Sequence, residues 1–145
     1  MIRGLGRVSI VVKDLDDSLA FYRDALGLEV VTETDLADRG LRMVRLGGPD
    51  AEIELMQPTD PSGPLGIFLE THGEGLHHVA VLVEDIEQVT RSLLARGVEM
   101  IDREPREGPG SRVAFVQPRA AAGVLVELYE PNLPTKIDGH AGEEK

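Results

Sequence analysis

Four side chains in this sequence stand at positions from which they could act together: Arg7, Glu54, His78 and Glu127. Carboxylates and an imidazole take up and release protons or bind cations. A guanidinium is protonated at any relevant pH, has no lone pair to donate, and holds anions. Alone, none of the four would attract notice, since a single polar residue on a strand is ordinarily a solvated or hydrogen-bonded one. They stand out because the chain repeats itself and they fall on matching positions of the repeat.

The repeat is direct. Val79-Ala-Val-Leu-Val-Glu-Asp-Ile-Glu lines up with Val8-Ser-Ile-Val-Val-Lys-Asp-Leu-Asp, Val98-Glu-Met with Leu28-Glu-Val, and Val126-Glu-Leu-Tyr-Glu-Pro with Ile53-Glu-Leu-Met-Gln-Pro. Each copy reads β-α-β-β-β. In the first, a strand at residues 8–12 leads to Asp14, which caps a helix with the apolar stripe Leu15, Leu19, Tyr22 and Leu26, closed by Gly27. A strand at 28–32, a polar loop at 33–40 and strands at 41–46 and 51–56 complete it. In the second, the strand begins at His77 and His78, Asp85 caps a helix with stripe Ile86, Val89 and Leu93, and Gly97 ends it. Then come a strand at 98–100, a loop from Asp102 to Ser111, and strands at 112–116 and 123–129. The expected organisation is a first module at 1–58, a linker with a short helix from Pro64 at 59–75, a second module at 76–131 and a flexible tail at 132–145. The fold class is α+β, with two tandem modules forming a cupped eight-stranded mixed sheet.

Alternation along the strands assigns faces. Val8, Ile10 and Val12 must meet the helices, which sends Arg7, Ser9 and Val11 to the other face. By the same parity His78, Ala80 and Leu82 point away from the helices, and His77, Val79 and Val81 toward them. Ile53 and Leu55 pack inward, leaving Glu52, Glu54 and Met56 opposite; Val126 and Leu128 do so in the repeat, leaving Leu125, Glu127 and Tyr129. If the modules curl into a shared trough, Arg7 meets His78 and Glu54 meets Glu127. The residues expected to shape a ligand there, Ser9, Val11, Met43, Met56, Leu82, Leu125 and Tyr129, are mostly apolar.

Bulk properties exclude other classes. A net charge of −11 repels polyanions, so neither nucleic acid nor an acidic membrane is an expected partner. There is no cysteine, hence no disulfide or thiol chemistry. No apolar run spans a bilayer and the start lacks a secretory layout, so the expected location is cytoplasmic. No Walker or dinucleotide signature is present. His77 is expected to pack near the strand start; His72, beside a helix end, and His140, in the tail, are not candidates. One segment escapes the acidic excess: Arg103, Arg106, Arg112 and Arg119 outnumber Asp102, Glu104 and Glu107.

From about Gly6 to Pro131 the chain resembles the methylmalonyl-CoA epimerases of the vicinal oxygen chelate (glyoxalase/bleomycin-resistance-like) superfamily. The segments that carry the resemblance are Lys13-Asp-Leu, Phe21-Tyr22-Arg23, Leu26-Gly-Leu-Glu-Val, Glu52-Ile-Glu-Leu, Gly73-Glu-Gly-Leu-His-His-Val-Ala, and Val113-Ala-Phe-Val-Gln-Pro followed by Gly123-Val-Leu-Val-Glu-Leu. The family's metal ligands carry over onto Arg7, Glu54, His78 and Glu127, the positions selected by the repeat. The resemblance implies a divalent metal (cobalt, manganese, zinc, nickel or magnesium), and Arg7 departs from it because arginine cannot ligate one. Two arrangements follow: a metal on Glu54, His78 and Glu127 alone, or Arg7 replacing it, pairing with Glu54 and Glu127 and stabilising an oxyanion. The family's His-Pro before the last strand reads Gln117-Pro118 here, a further departure.

The implied activity is epimerisation. A carboxylate, Glu54 or Glu127, removes a proton α to the carbonyl of a small substrate, a CoA thioester such as methylmalonyl-CoA, a cation holds the enolate oxygen, and a base on the other face returns the proton. Arg106, Arg112 and Arg119 are candidates for the CoA phosphates, with the loop Glu107-Gly-Pro-Gly-Ser near the pantetheine. The resemblance also implies a homodimer. The alternatives are a diverged member catalysing cyclisation or elimination on a natural-product intermediate, with Arg7 anchoring an anionic group, and a resistance-type binding protein without chemistry.

Overall fold

The computed structural model describes residues 1–48 and 50–133, so that beyond Leu133 the expected tail lies outside the described residues. Eight strands form one mixed sheet: β1 (Ile2–Val11), β2 (Glu29–Leu36), β3 (Leu41–Gly47), β4 (Glu52–Pro58), β5 (Gly75–Val83), β6 (Arg106–Gly108), β7 (Ser111–Val116) and β8 (Val126–Pro131). The order β2-β3-β4-β1-β5-β8-β7-β6 keeps each half of the chain together and joins the halves through the antiparallel pair β1 and β5. In each half the first strand runs parallel to the last, β1 beside β4 and β5 beside β8, as a helical crossover requires. This is the curled eight-stranded α+β sheet of tandem modules expected from the repeat.

Two of the three α-helices cover the convex face, and the third packs Leu65, Phe68 and Leu69 on Val11, Met43 and Met56 of the concave one. Helix α1 (Leu15–Leu19) starts at Asp14, whose carboxylate accepts from the Asp17 N–H at 3.1 Å. It continues as a π-helical turn over Ala20–Ala25, with the Leu26 N–H reaching the Phe21 carbonyl at 2.8 Å. Helix α3 (Ile86–Ala95) starts in the same way, with Asp85 accepting from the Gln88 N–H at 3.3 Å. Helix α2 (Pro64–His72) lies between the modules. Two apolar cores result. Val12, Leu15, Leu19, Val44, Leu46 and Leu55 form one, and Val83, Ile86, Val89, Ala114, Val116 and Leu128 build the other with Met100. Each fully buried leucine or isoleucine among them contributes about 1.5–3 kcal/mol from removal of its apolar surface from water.

Several boundaries differ from the sequence expectation. Half of the polar stretch 33–40 is strand, since β2 runs on to Leu36 by pairing with β3, and a 3₁₀ turn fills Ala37–Arg39. The segment 98–100 makes only a single bridge, Met100 to Val116; the edge strand is β6, inside the expected loop 102–111. The last strand begins at Val126 rather than Gly123. Leu26 is exposed, because the wider π turn carries it off the helix stripe.

Candidate active site

The concave face carries the selected residues. Arg7, Ser9, Glu54, His78 and Glu127 are all buried there although all are polar or charged. They are held by strand register, not by loops. Ser9 on β1 stands opposite Glu54 on β4 and also opposite His78 on β5, so one small hydroxyl lies at the seam between the two modules. Its Oγ donates to Glu54 Oε1 at 2.8 Å. Arg45 on β3 stands opposite Glu54 from the other side, and its Nε donates to Glu54 Oε2 at 2.8 Å. Burial by itself would raise the Glu54 carboxyl, but the Arg45 charge and hydrogen bond, the Arg7 charge and the Ser9 hydroxyl together hold it below the usual glutamate range. Glu54 is therefore an ionised, buried carboxylate.

A second group forms around His78. Its Nε2 lies 3.1 Å from Glu127 Oε1 and its Nδ1 lies 2.9 Å from Nδ1 of His77. The carboxylate accepts from Nε2–H, which leaves His78 Nδ1 as the acceptor of a proton borne by His77 Nδ1. Burial, and then the adjacent His78, lower the His77 pKa to about 4, so His77 is neutral at pH 7 and suited to that role. Phe68 of α2 and Phe115 of β7 pack edge-on against His77 and His78 respectively.

His77 departs from its expected place. The β1–β5 register passes from Ser9↔His78 to Ile10↔Leu76, so His77 has no partner on β1 and forms a bulge. The bulge brings its ring to the concave face beside His78 and against Phe68 of α2, instead of toward α1 and α3. Arg45 is a site residue that the sequence reading passed over, although the alternation that placed Met43 in the trough places Arg45 there too.

Arg7 does not pair with Glu54 or Glu127. It is 4% exposed, and its guanidinium carbon sits 3.9 Å from the centroid of the Tyr129 ring. Its Nε is buried without a hydrogen-bond partner. Burial raises the Tyr129 phenol, so that side chain is neutral beneath the cation.

Two cavities open along the trough. The first, about 280 Å³, has His77, His78, Glu54, Arg45 and Glu127 on its polar side and Leu36, Leu41, Met43, Met56, Leu65 and Phe115 on its apolar side. Arg39 and Arg106 border it from opposite edges of the sheet. The second, about 320 Å³, is bordered by Arg7, Arg45, Glu52, Asp50, Leu82 and Tyr129. Of the arginines expected at CoA phosphates, Arg106 borders the first of these two cavities, and Arg112 and Arg119 border neither. Arg112 pairs with Glu87 of α3 on the convex face, and Arg119 pairs with Glu99 at 2.7 Å. The turn Gly108 to Ser111 borders both cavities.

These residues do not fit a resident divalent ion. Among the described residues no group of three or more His, Cys, Asp or Glu side chains converges closely enough to hold a metal. Both nitrogens of His78 are engaged, and Glu54 faces guanidinium charge from Arg45 and Arg7. Proton transfer at a buried carboxylate, and stabilisation of negative charge by guanidinium groups, are what the arrangement offers.

The chain is similar over most of its length to known proteins. It is 37% identical over 133 residues to an ethylmalonyl-CoA/methylmalonyl-CoA epimerase of Cereibacter sphaeroides, covering 90% of this chain and 99% of that one. An uncharacterised protein of Bacillus subtilis is 34% identical over 128 residues, covering 88% of this chain and 91% of the other. The crystal structure of methylmalonyl-CoA epimerase from Mycobacterium tuberculosis superposes with a TM-score of 0.83 at 38% identity, covering 91% of this chain and 90% of that chain. The model of the glyoxalase/bleomycin resistance protein/dioxygenase superfamily matches residues 4–128, and the chain belongs to that superfamily.

Proposed function

We propose that this protein is an epimerase that moves a proton α to the carbonyl of an acyl-CoA thioester of the methylmalonyl-CoA type. Relatives named as epimerases support an epimerase-type reaction, and the observation that carries it to this site is a buried ionised Glu54 facing the same cavity as the His78–Glu127 pair. In this reading Glu54 removes the α-proton. The electron pair passes into the thioester carbonyl, and the enolate oxygen takes its stabilisation from the Arg45 side of the cavity. The proton that His78 Nε2 shares with Glu127 is delivered to the opposite face through that carboxylate, and it is replaced from solvent as Glu54 releases the one it took. The apolar walls exclude water, which strengthens each charge interaction inside.

Membership of the superfamily suggests a divalent metal, but the donor set does not fit one, and no step here runs through a metal. Arg106 and Arg39 border the cavity from opposite edges, and this reading assigns the CoA phosphates to them. The homodimer implied by the resemblance belongs to the same proposal and is checked by light scattering on the purified protein.

The test is stereochemical. A single stereoisomer of methylmalonyl-CoA, incubated with the protein, converts to the mixture of both isomers. Glu54→Gln and Glu127→Gln each slow the conversion at least 100-fold while CoA-thioester affinity stays within a few-fold. Conversion that survives both substitutions rejects the assignment of these carboxylates; no conversion by the unmodified protein rejects the reaction.

A further inference from the structure

The buried guanidinium of Arg7 has no carboxylate within ion-pair reach among the described residues, although Glu52 stands opposite it in the β1–β4 register. A charge removed from water without a counter-charge is costly, and cation–π contact with Tyr129 offsets only part of that cost. The Nε–H has no acceptor at all. Glu54, a buried acid on the same face, is already held by Arg45 and Ser9. Arg7 is therefore a prepared cation with donors to spare, bordering a cavity of about 320 Å³.

Arg45 borders this cavity and the first one alike. A ligand whose carbonyl lies over Glu54 can thus extend past Arg45 toward Arg7 with a second functional group. The guanidinium fork matches a carboxylate in planarity and donor spacing better than any other common anion apart from phosphate. At the position where the family resemblance calls for a metal ligand, this chain places a fixed positive charge instead.

We propose that Arg7, with Arg45, binds the free carboxylate of the ligand in the second cavity, so that the protein selects dicarboxylic-acid half-thioesters by a guanidinium and not by a metal ion. The inference rests on the epimerase reading for the thioester part of the ligand. The carboxylate site itself does not need that reading.

The test uses methylmalonate, free of CoA, as the probe, with its neutral dimethyl ester as control, and follows binding by calorimetry on the chelator-treated full chain. Methylmalonate binds the unmodified protein and the diester does not. Arg7→Gln weakens methylmalonate binding at least tenfold, and Arg7→Lys restores part of it. Should Arg7→Gln fail to fold, as judged by circular dichroism, the Arg7 Nε–H resonance of the unmodified protein is followed instead, and it shifts on adding methylmalonate. Equal affinity in Arg7→Gln, an unmoved Nε–H resonance, or stoichiometric divalent metal in the purified protein overturns the inference. Methylmalonate binding that depends on Arg7 in a protein without epimerase activity upholds this site and rejects the reaction; the reverse pattern rejects the site alone.

Discussion

Arg45 and Glu54 face each other directly across the antiparallel β3–β4 ladder, joined at 2.8 Å with both side chains largely withdrawn from water. The pair is the electrostatic reason Glu54 stays ionised at the floor of an otherwise apolar cleft. Breaking such a pair leaves one charge buried alone, which costs about 3–5 kcal/mol, whereas replacing both partners by apolar groups costs little. Arg45→Met is expected to lower the urea midpoint strongly, and adding Glu54→Leu to recover most of the loss. A double-mutant cycle in urea measures the coupling; additive losses would contradict the pairing.

His77 titrates in a defined window. Its pKa in the folded protein is about 4 against an ordinary 6.5, because burial and then His78 disfavour the charged ring. Between those values the unfolded chain binds the extra proton, so stability is fully present above about 6.5 and falls as pH drops toward 4. Allowing for solvent screening of a ring that is only partly buried, the loss attributable to this group is about 1–2 kcal/mol across the window. His77→Gln should flatten that part of the stability profile, read from denaturant midpoints at several pH values. An unchanged slope would show that His77 is not buried in its neutral form.

Helix α2 is locked to the linker by a glycine. A Cβ on Gly66 would collide with the Asp60 carbonyl oxygen and the Pro61 backbone, neither of which can swing aside. Gly66→Ala should cost about 1–3 kcal/mol and loosen the wall formed by Leu65. Thermal melts give the first effect and a raised KM the second; an unaltered melting temperature would mean that the contact is not tight.

The CoA assignment separates the arginines by position. Arg106→Gln and Arg39→Gln should each raise KM for a CoA thioester by about 3- to 10-fold, the loss expected of one charge-assisted contact. Arg112→Gln and Arg119→Gln, which remove cations on the convex face and at Glu99, should leave it unchanged. Steady-state kinetics with a CoA thioester and with a short thioester lacking the nucleotide distinguish phosphate binding from a general effect.

The fold was legible because the repeat and the strand alternation are local signals, and the concave positions Arg7, Ser9, Glu54, His78 and Glu127 all follow from a period of two. What escaped is non-local. The place of His77 depends on a bulge created by β1–β5 pairing, and no window around His77 contains β1. Strand β6 is three residues long and owes its form to pairing with β7 rather than to any apolar alternation. The exposure of Leu26 follows from a π turn that leaves no compositional mark. Arg45 was readable and passed over, since it shares the parity of Met43. The stacking of Arg7 on Tyr129 could not be deduced from register alone, because the parity that makes both concave does not say which carboxylate or ring the guanidinium meets.

The central claim is that this chain's own carboxylates and guanidinium groups carry a proton on and off the carbon α to a thioester. It is tested most directly by proton NMR of methylmalonyl-CoA in deuterated water with chelator-treated protein. The α-proton signal is predicted to disappear at a rate that added cobalt or manganese does not change. Exchange that begins only on adding metal would overturn the role given to Arg7 and Arg45, and no exchange with or without metal would contradict the claim itself.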